Sequence, residues 1–396
     1  MFVYLDNSAT TKQSPEVTKA EIEAVENVFG NPSSLYRPGM EAEKLLRSCR
    51  GSVARLIGAS PQEICFTSGG TESDNTAIYG AVRALKRQGK KVITTEIEHP
   101  AVLECCRDLE DQGMEVVKIP VGADGILDLE ALKRVIGEDT ILVSVMHVNN
   151  ETGAVQPVEE IGNLVKQQSR AVFHCDAVQS YGKLPIDVRK AKIDLLSASG
   201  HKIHGPRGTG ILYINKKIRI FPLIRGGGQE KGLRSGTENV PGIAGLAKAA
   251  EQAYGNMEKN LTDVRSLSSR LTEGIRSSIP EVVVNGPEQE GDPGTEKWLP
   301  YIVNVSFKGC RGEVLLHMLE KEGIYVSTGS ACSSRKKDYS HVLKAMNVEP
   351  SDAEGALRFS FSPYNTVEEV EYTLEKLQKA VGEHRKMMGI ARRMGR

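Results

Sequence analysis

The sequence has no excess of charge of either sign, no long hydrophobic run and few aromatic residues. Its 396 residues include 51 lysines and arginines and 51 aspartates and glutamates, which gives a formal net charge of +0. This balance gives no reason to expect binding to nucleic acids or to membrane surfaces through overall charge. None of the apolar runs reaches the ~18 residues of a membrane span, and Met1 to Thr11 lacks a basic leader. We therefore expect a cytoplasmic protein that neither spans a membrane nor binds nucleic acid directly.

The sequence also lacks the cysteine spacing that is typical of metal-binding and redox motifs. Its seven cysteines are odd in number and form no Cys-x-x-Cys motif. A disulfide framework or a zinc site is therefore a poor interpretation, and we expect a reducing compartment and no metal ion. Most of these thiols are expected to be small buried side chains. The cysteines are Cys49, Cys65, Cys105, Cys106, Cys175, Cys310 and Cys332.

Short β-rich runs alternate with helical stretches from about residue 60 to residue 215. This alternation predicts βαβ crossovers and a largely parallel sheet with helices on both faces. Such sheets place ligands at the carboxyl ends of their strands. The predicted helices include Asn75–Arg87, Ala101–Leu109 and Val158–Gln168. The predicted strands are Glu63–Thr67, Lys91–Ile97, Val116–Val121, Ile141–Val148, Ala171–Asp176, Asp194–Ala198 and Gly210–Ile214.

The pattern changes after residue 240. The segment from Val240 to Ser278 predicts one long helix, and shorter strands and helices follow it. Thr366-x-x-Glu369 is a capping box that predicts the start of the last helix. We therefore expect a large domain over residues 15–260 and a small α+β domain formed by residues 1–14 and 261–396. The later elements are expected at Val282–Val284, Ile302–Phe307, Glu313–Glu322, Leu357–Phe361 and Glu368–Lys379.

Two further segments of the C-terminal part are expected to be exposed. Pro287 to Pro300 is rich in glycine, proline and acidic residues, a composition typical of an exposed loop. The basic residues near the C-terminus are interpreted as a solvated helix end rather than an RNA-binding tail. These basic residues are Arg385, Lys386, Arg392, Arg393 and Arg396.

A lysine and an aspartate stand at the ends of two apolar runs. Lys202 lies in Ser199-Gly200-His201-Lys202, directly after the run Ile193–Ala198. A lysine that forms a Schiff base needs partial desolvation, which a strand end supplies, although a lysine in an ordinary turn fits this segment equally well. Asp176 ends the run Ala171–Cys175, where a buried carboxylate needs a partner such as a protonated pyridine nitrogen. Asp176 alone would more often cap the next turn, but the pair favours pyridoxal phosphate.

Such a cofactor also needs a place for its phosphate. Small residues that expose backbone N–H groups occur in Thr67-Ser68-Gly69-Gly70-Thr71-Glu72, just before a helix expected to start at Ser73–Asn75. A helix N-terminus adds positive dipole to such a loop. Ordinary turns share this composition, and no Gly-Lys-Ser/Thr ends the segment as in a Walker motif, so the motif is weak by itself.

These motifs, with several others, resemble the cysteine desulfurase family of pyridoxal-phosphate enzymes. They lie in order across nearly the whole chain, so the ensemble is highly specific even though several pieces are weak alone. The resemblance implies an α/β protein with the aspartate-aminotransferase-like fold, in which the large domain holds a mostly parallel seven-stranded sheet. The matching motifs are Tyr4-Leu5-Asp6-Asn7-Ser8-Ala9-Thr10-Thr11, Phe29-Gly30-Asn31-Pro32-Ser33-Ser34, Gly70-Thr71-Glu72-Ser73-Asp74-Asn75, Glu98-His99, Met146-His147-Val148-Asn149-Asn150-Glu151, Asp176-Ala177-Val178-Gln179, Ser199-Gly200-His201-Lys202, Arg234-Ser235-Gly236-Thr237, Ser330-Ala331-Cys332 and Arg358-Phe359-Ser360.

The resemblance implies a role for each candidate cofactor residue. Lys202 would hold pyridoxal phosphate and later move protons, and Asp176 would keep the pyridine nitrogen protonated. Gln179 would hydrogen-bond the ring oxygen, and His99 would stack on the ring and assist proton transfer. Thr237 would reach a phosphate in the neighbouring subunit of a homodimer. The remaining implied cofactor-binding residues are Gly70, Thr71, Asn150, Ser199 and His201, of which Thr71, Ser199 and His201 would bind the phosphate.

The resemblance also implies the substrate and the nucleophile. Asn150 and Arg358 would bind L-cysteine, since arginine matches a carboxylate with two parallel hydrogen bonds. Cys332 would take the sulfur as a persulfide, L-alanine would leave, and an acceptor protein would receive the sulfur. Iron–sulfur cluster assembly, tRNA thiolation and synthesis of a thio-cofactor such as thiamin all remain open as its destination. Small residues surround Cys332 and three basic residues follow it, which favours the reactive thiolate.

Other functions fit parts of the sequence. A selenocysteine lyase or another pyridoxal-phosphate enzyme could use the same scaffold, and an aminotransferase is a weaker alternative because it has no need of Cys332. A non-catalytic sulfur-assembly scaffold or an RNA-binding protein is suggested only by the basic tail. The presence of both Lys202 and Cys332 argues against a protein without catalytic function.

Overall fold

The structure is a computed structural model that describes residues 1–289, 297–328 and 339–389. These residues form twelve α-helices and twelve β-strands, and the strands are arranged in three sheets. In chain order the elements are β1 (Val3–Tyr4), α1 (Pro15–Asn27), α2 (Arg37–Leu56), β2 (Ile64–Thr67), α3 (Gly70–Leu85), β3 (Lys91–Thr95), α4 (Pro100–Asp111), β4 (Glu115–Ile119), α5 (Leu129–Val135), β5 (Thr140–Met146), α6 (Val158–Gln168), β6 (Val172–Asp176), β7 (Leu195–Ser199), β8 (Gly210–Ile214), α7 (Val240–Gly255), α8 (Met257–Ser278), β9 (Val282–Asn285), β10 (Ile302–Phe307), α9 (Gly312–Lys321), β11 (Ile324–Tyr325), α10 (His341–Ala345), α11 (Pro350–Glu354), β12 (Ala356–Ser360) and α12 (Val367–Met387).

Seven strands of the described chain form the main sheet, in the order β2-β8-β7-β6-β5-β3-β4. The strands from β7 to β4 pair in parallel, whereas β8 is antiparallel to both β7 and β2. Every residue of β5, β6, β7 and β8 is buried, as expected for strands covered on both faces. The predicted mostly parallel seven-stranded sheet is therefore confirmed.

The two faces of this sheet pack into two different hydrophobic clusters. Successive side chains of a strand point to opposite faces, so neighbouring residues enter different clusters. Val92, Leu142, Val172 and Leu212 belong to one cluster. Each of these residues has a sequence neighbour in the other cluster, namely Ile93, Val143, Phe173 and Ile211.

A third hydrophobic cluster joins the two ends of the chain. It contains Val3 and Leu5 together with Val305, Phe359 and Val370. Strand β1 pairs in parallel with β11, and β9, β10 and β12 form an antiparallel sheet. The first residues therefore pack with the C-terminal strands, while the division into residues 15–260 and residues 1–14 plus 261–396 stays a prediction.

The prediction of one helix from Val240 to Ser278 is wrong. Helix α7 ends at Gly255, and Asn256 separates it from α8 with backbone angles of φ −115° and ψ 13°. Glycine and asparagine are both weak helix formers, and the Asn256 N–H bonds back to the carbonyl oxygens of Gln252 and Tyr254. The apolar periodicity continues across this break, so it could not reveal the end of α7.

Two predictions of exposure are also wrong in part. Within Pro287 to Pro300, Trp298 and Leu299 are buried, and the Trp298 indole N–H donates to the Ile302 carbonyl oxygen at 2.7 Å. Arg385 is buried as well, because its guanidinium donates to three backbone carbonyl oxygens near β9 and β10. Residues 390–396, with Arg392, Arg393 and Arg396, lie outside the described residues. Within the described ranges, no helix has both the length and the hydropathy that crossing a bilayer requires.

Candidate active site

The candidate residues lie at or just after the carboxyl ends of four neighbouring parallel strands of the main sheet. His99 comes four residues after the end of β3, and Asn150 comes four residues after the end of β5. Asp176 is the last residue of β6, and Ser199 is the last residue of β7. Because the carboxyl ends of parallel strands meet at the same edge, the fold itself gathers these side chains.

Lys202 lies directly after β7 and contacts the N-terminal segment. Its ammonium donates hydrogen bonds to the carbonyl oxygens of Ser8 and Ala9, the second at 2.8 Å. The backbone beside it is held in the same way, since the Thr11 N–H donates to the His201 carbonyl oxygen at 2.9 Å. The lysine therefore stands half-buried at the point where the first residues of the chain meet the sheet.

Asp176 is a buried carboxylate whose position suits a cationic partner. One oxygen accepts a hydrogen bond from the Val178 N–H at 2.9 Å. Burial raises the pKa of Asp176 to about 6, although the Val178 bond and the charge of Lys202 act in the opposite direction. Burial, reinforced by the charge of Asp176, also raises the pKa of the neighbouring Asp74 well above its usual range. A cation beside Asp176 would relieve the cost of this buried charge.

His99 caps helix α4 and is neutral at neutral pH. Its Nδ1 accepts a hydrogen bond from the Ala101 N–H at 3.1 Å, which places the ring proton on Nε2. Burial, followed by the charges of Lys202 and His341, lowers the pKa of His99 to about 4. The preceding residue, Glu98, is fully buried, and burial raises its pKa to about 8. The ring can therefore approach an aromatic group without adding a charge.

Gln179 and His201 complete the group of side chains around Lys202. The Gln179 amide donates from Nε2 to the Ser8 carbonyl oxygen at 3.0 Å, the same oxygen that accepts from Lys202. His201 Nδ1 lies 3.2 Å from the Thr10 hydroxyl. Burial, followed by the charge of Lys202, lowers the pKa of His201 to about 4.

The loop between β2 and α3 has the backbone geometry of an anion site. Gly69 has φ 153° and ψ −177°, a backbone conformation that residues other than glycine almost never adopt. Helix α3 begins at Gly70, three residues before the predicted start, so its first free N–H groups fall on the predicted phosphate loop. Thr71 is exposed in this first turn.

An unsatisfied hydroxyl and a close contact mark the same loop. The Ser199 hydroxyl is buried and has no hydrogen-bond partner among the described residues. It lies 3.9 Å from where a Cβ on Gly69 would be, and a Cβ on Gly70 would lie only 2.6 Å from Val178 Cγ2. A phosphate would satisfy the Ser199 hydroxyl and the free N–H groups together, so the residues present fit pyridoxal phosphate.

Arg358 is a buried arginine with one unused donor. Its Nη2 pairs with an Asp6 carboxylate oxygen at 2.7 Å, and its Nη1 donates to the Asn150 carbonyl oxygen at 2.9 Å. Its Nε is buried without a hydrogen-bond partner within the part of the chain that the structure describes. The structure thus brings Arg358 to the backbone of Asn150, while its backbone pairs with Ser327.

Two predicted residues are not part of this hydrogen-bonded group. Cys332 lies outside the described residues, but the chain is held beside the site on either side of it. Ser327 pairs with Arg358, and the Ser340 hydroxyl donates to the buried carboxylate of Glu151. Thr237 is exposed and lines a cavity of about 190 Å³ with Ser68 and Arg234.

The sequence prediction gave no role to several groups found here. The carbonyl oxygens of Ser8 and Ala9 carry no sequence signal, because every residue has one. Asp74 and Glu98 appear in the matched motifs, and burial of Glu98 could have been suspected from its position directly after the predicted strand Lys91–Ile97. Lys183 was missed, although its spacing of four residues from Gln179 is that of a helical pair. Within the described ranges, no group of three or more His, Cys, Asp or Glu side chains could hold a metal ion.

The fold and site define a pyridoxal-phosphate enzyme, and comparison with known proteins agrees. The model of the class-V aminotransferase family matches residues 3–373. The chain belongs to this family, which depends on pyridoxal phosphate, so the predicted cofactor is confirmed.

The similar proteins specify the class further. Cysteine desulfurase IscS of Clostridium botulinum is 45% identical over 385 residues, which cover 97% of this chain and 96% of the relative. The solved structure of a NifS-like protein gives a TM-score of 0.90 at 41% identity and covers 97% of this chain and 100% of its own. The solved structure of SspA in complex with cysteine gives a TM-score of 0.79 at 33% identity. It covers 92% of this chain and 100% of the SspA chain. The resemblance to cysteine desulfurases stated from the motifs is confirmed.

Proposed function

We propose that this protein is a cysteine desulfurase that converts L-cysteine to L-alanine and keeps the sulfur on Cys332 as a persulfide. The observation that carries the proposal is the convergence of Lys202, Asp176 and His99 at one sheet edge. A lysine and a buried carboxylate are the two groups that typically bind pyridoxal phosphate, and His99 adds a neutral ring beside them. Relatives 45% identical over nearly the whole chain are cysteine desulfurases.

Pyridoxal phosphate, when bound, supplies an electron-withdrawing ring that weakens the bonds to the α-carbon of an amino acid. In our proposal Lys202 carries the cofactor and moves a proton of the substrate. Asp176 would keep the ring nitrogen protonated, Gln179 would donate to the ring oxygen, and His99 would stack on the ring. The phosphate is held by Gly70, Thr71, Ser199 and His201.

Arg358 and Asn150 bind the substrate in this proposal. The unused Nε–H of Arg358 is buried, so a carboxylate that reaches it forms a charge-assisted hydrogen bond out of water. Asp6 and the Asn150 carbonyl oxygen already hold the two terminal nitrogens. The guanidinium is therefore oriented before substrate arrives, which lowers the entropy lost on binding.

The sulfur transfer balances without any added oxidant or reductant. The Cys332 thiolate attacks the sulfur of L-cysteine, an S–S bond forms, and the bond between Cβ and sulfur breaks. The electron pair of that bond remains with the substrate carbon, which takes up a proton and leaves as the methyl group of L-alanine. The chain then carries the persulfide Cys332–S–SH.

Two variants test this assignment. Cys332→Ala should keep its yellow cofactor but form no persulfide, whereas the buried Cys49→Ala serves as a control and should form it normally. Borohydride should trap the cofactor on Lys202 in the wild type and in both variants. A normal persulfide yield from Cys332→Ala would refute the role of Cys332, and absence of trapped cofactor would refute the whole proposal.

We further propose a homodimer in which Thr237 contacts the phosphate bound to the partner subunit. Thr237 is exposed, so its hydroxyl is free to face another molecule. A complementation experiment distinguishes the two arrangements. Mixed dimers of Lys202→Ala and Thr237→Val regain one intact site only if Thr237 acts across the interface. Mixtures without activity would refute the arrangement.

The sulfur acceptor is proposed to be a protein of iron–sulfur cluster assembly or of tRNA thiolation, in the cytoplasm. A reducing compartment is supported by the six cysteines in the described ranges, which are all free and buried. Loading Cys332 with labelled sulfur and identifying the labelled protein in a cell extract would decide between the two acceptors. Label found on neither kind of protein would refute this part of the proposal.

A further inference from the structure

Lys183 is a buried lysine that the proposed chemistry does not use. Its side chain is 6% exposed, and its ammonium lies 5.3 Å from the centre of the Tyr301 ring. Among the described residues it has no carboxylate partner, and its ammonium donates a hydrogen bond to the Gln179 side-chain oxygen at 3.4 Å. Burying an amine without a counter-ion is costly, so its position asks for a functional reason.

Lys183 and Ser8 hold the two ends of the Gln179 amide. The Ser8 carbonyl oxygen can only accept a hydrogen bond, and the ammonium of Lys183 can only donate one. Only one orientation of the amide satisfies both neighbours, with Nε2 toward Ser8 and Oε1 toward Lys183. The Ser8 oxygen also accepts from Lys202, so the amide nitrogen lies on the side of the cofactor-bearing lysine.

We infer that Lys183 is a positioning residue that keeps the Gln179 amide nitrogen turned toward the ring oxygen of the cofactor. The inference rests on the proposed function, because it assumes that Lys202 carries pyridoxal phosphate. With Lys183 in place, the second N–H of Nε2 would be available to donate to the ring oxygen when pyridoxal phosphate is bound. Without Lys183, the amide loses the partner that prevents it from turning its own oxygen toward that negatively charged group.

Titration of Lys183 does not alter this role. Burial, followed by the charge of Lys202, lowers the pKa of Lys183 to about 7. An amine keeps N–H donors in both protonation states, so the bond to Gln179 can persist on either side of this pH. The other titratable groups that face Lys183 are His201, His204, Lys202 and Tyr301.

The test compares Lys183→Met with Lys259→Met. Methionine matches lysine in length but cannot donate, and Lys183→Leu repeats the change with a shorter apolar side chain. Lys183 and Lys259 line one cavity of about 280 Å³. The Lys259 side chain is 74% exposed and pairs with Asp263, so Lys259→Met is the control. The readout is the pH midpoint of the visible absorption change of the cofactor bound to Lys202, measured without substrate.

Removing the donor from the ring oxygen should raise this midpoint, because the negatively charged oxygen loses a stabilising bond. A hydrogen bond to a charged group corresponds to about a tenfold change in proton affinity, or about one pH unit. We expect that rise in Lys183→Met and Lys183→Leu, in the same direction as in Gln179→Leu, and no change in Lys259→Met. In a Gln179→Leu background, Lys183→Met should add no further shift.

Two results would overturn the inference. The midpoint could stay unchanged in both Lys183 variants while Gln179→Leu shifts it, in which case Lys183 does not orient the amide. Lys183→Met could also shift the midpoint equally with and without Gln179, in which case it acts by charge alone. The titration needs no turnover, so a wild type that binds cofactor but makes no persulfide would refute the desulfurase function and leave the Lys183 result interpretable.

Discussion

Replacing Gly70 with alanine should weaken cofactor binding while the protein still folds. The added Cβ would lie 2.6 Å from Val178 Cγ2, whereas carbon atoms in contact are about 3.5–4.0 Å apart. One of the two groups must therefore move by about 1 Å. Val178 is β-branched and has a stiff χ1 angle, so the backbone must take up part of the movement. Because the Val178 N–H donates to Asp176, the movement reaches the carboxylate that we propose to face the ring nitrogen.

The size of the effect follows from the cost of overpacking, which is about 1–3 kcal/mol. If all of it acts on binding, the dissociation constant of pyridoxal phosphate rises by about 5- to 150-fold. Any part of this free energy that already destabilises the cofactor-free protein appears instead as a lower melting temperature. Absorption titration of cofactor-free protein and thermal unfolding therefore have to be measured together.

Gly51→Ala provides a matched control in helix α2. A Cβ on Gly51 would meet nothing within 4 Å, so this change should stabilise the helix by about 0.5–1 kcal/mol and leave cofactor affinity unchanged. Val178→Ala in the Gly70→Ala background removes the clashing methyl group and should restore most of the affinity. The reasoning is refuted if Gly70→Ala binds and melts like the wild type, or if Val178→Ala restores nothing.

Three further predictions concern single side chains. Arg358→Lys should raise the KM for L-cysteine about 10- to 100-fold in alanine-release kinetics, because lysine lacks the planar donors; an unchanged KM would contradict its role. Arg50→Met leaves the Glu230 carboxylate, 3% exposed, without its charged partner and should cost about 3–5 kcal/mol in urea unfolding. Loss of the exposed ion pair in Arg37→Met should cost far less, and equal costs would count against this prediction. Burial lowers the pKa of His174 to about 3. Its neutral form therefore makes a contribution to the free energy of unfolding that is complete above pH ~6.5 and is lost as the pH falls toward 3. His174→Gln should therefore flatten the fall in unfolding free energy between pH 6 and 4 by up to about 1.4 kcal/mol per pH unit, and parallel slopes would exclude this effect.

The strands of the main sheet could be predicted because burial on both faces makes them continuous apolar runs. Helix α2 was missed, although its buried positions Ala42, Leu46, Cys49 and Val53 follow helical spacing. These residues form a narrow stripe, and most of the remaining surface of α2 is charged or polar. Its pattern therefore resembles that of a polar connection unless the apolar positions are counted separately.

The proximity of Lys202 and Asp176 could be predicted because residue type and place after a strand acted together, while their roles toward a cofactor stay predictions. The hydrogen-bond partners of Lys202 could not be predicted, because Ser8 and Ala9 contribute only backbone oxygens from 194 and 193 residues away in the chain. The unsatisfied hydroxyl of Ser199 is a property of packing, which no local pattern encodes. Cys332 stays a prediction from its motif, since it lies outside the described residues.

Ser8 connects the two termini of the polypeptide to Lys202. Its N–H donates to the Ser360 hydroxyl at 2.9 Å, a contact between residues 352 positions apart, while its carbonyl oxygen receives Lys202 and Gln179. A ribosome synthesises the first of these residues early and the last near the end of translation. Nascent chains that stop before β12 should therefore be unable to retain pyridoxal phosphate, so that loading with vitamin B6 becomes one of the final events in making the enzyme.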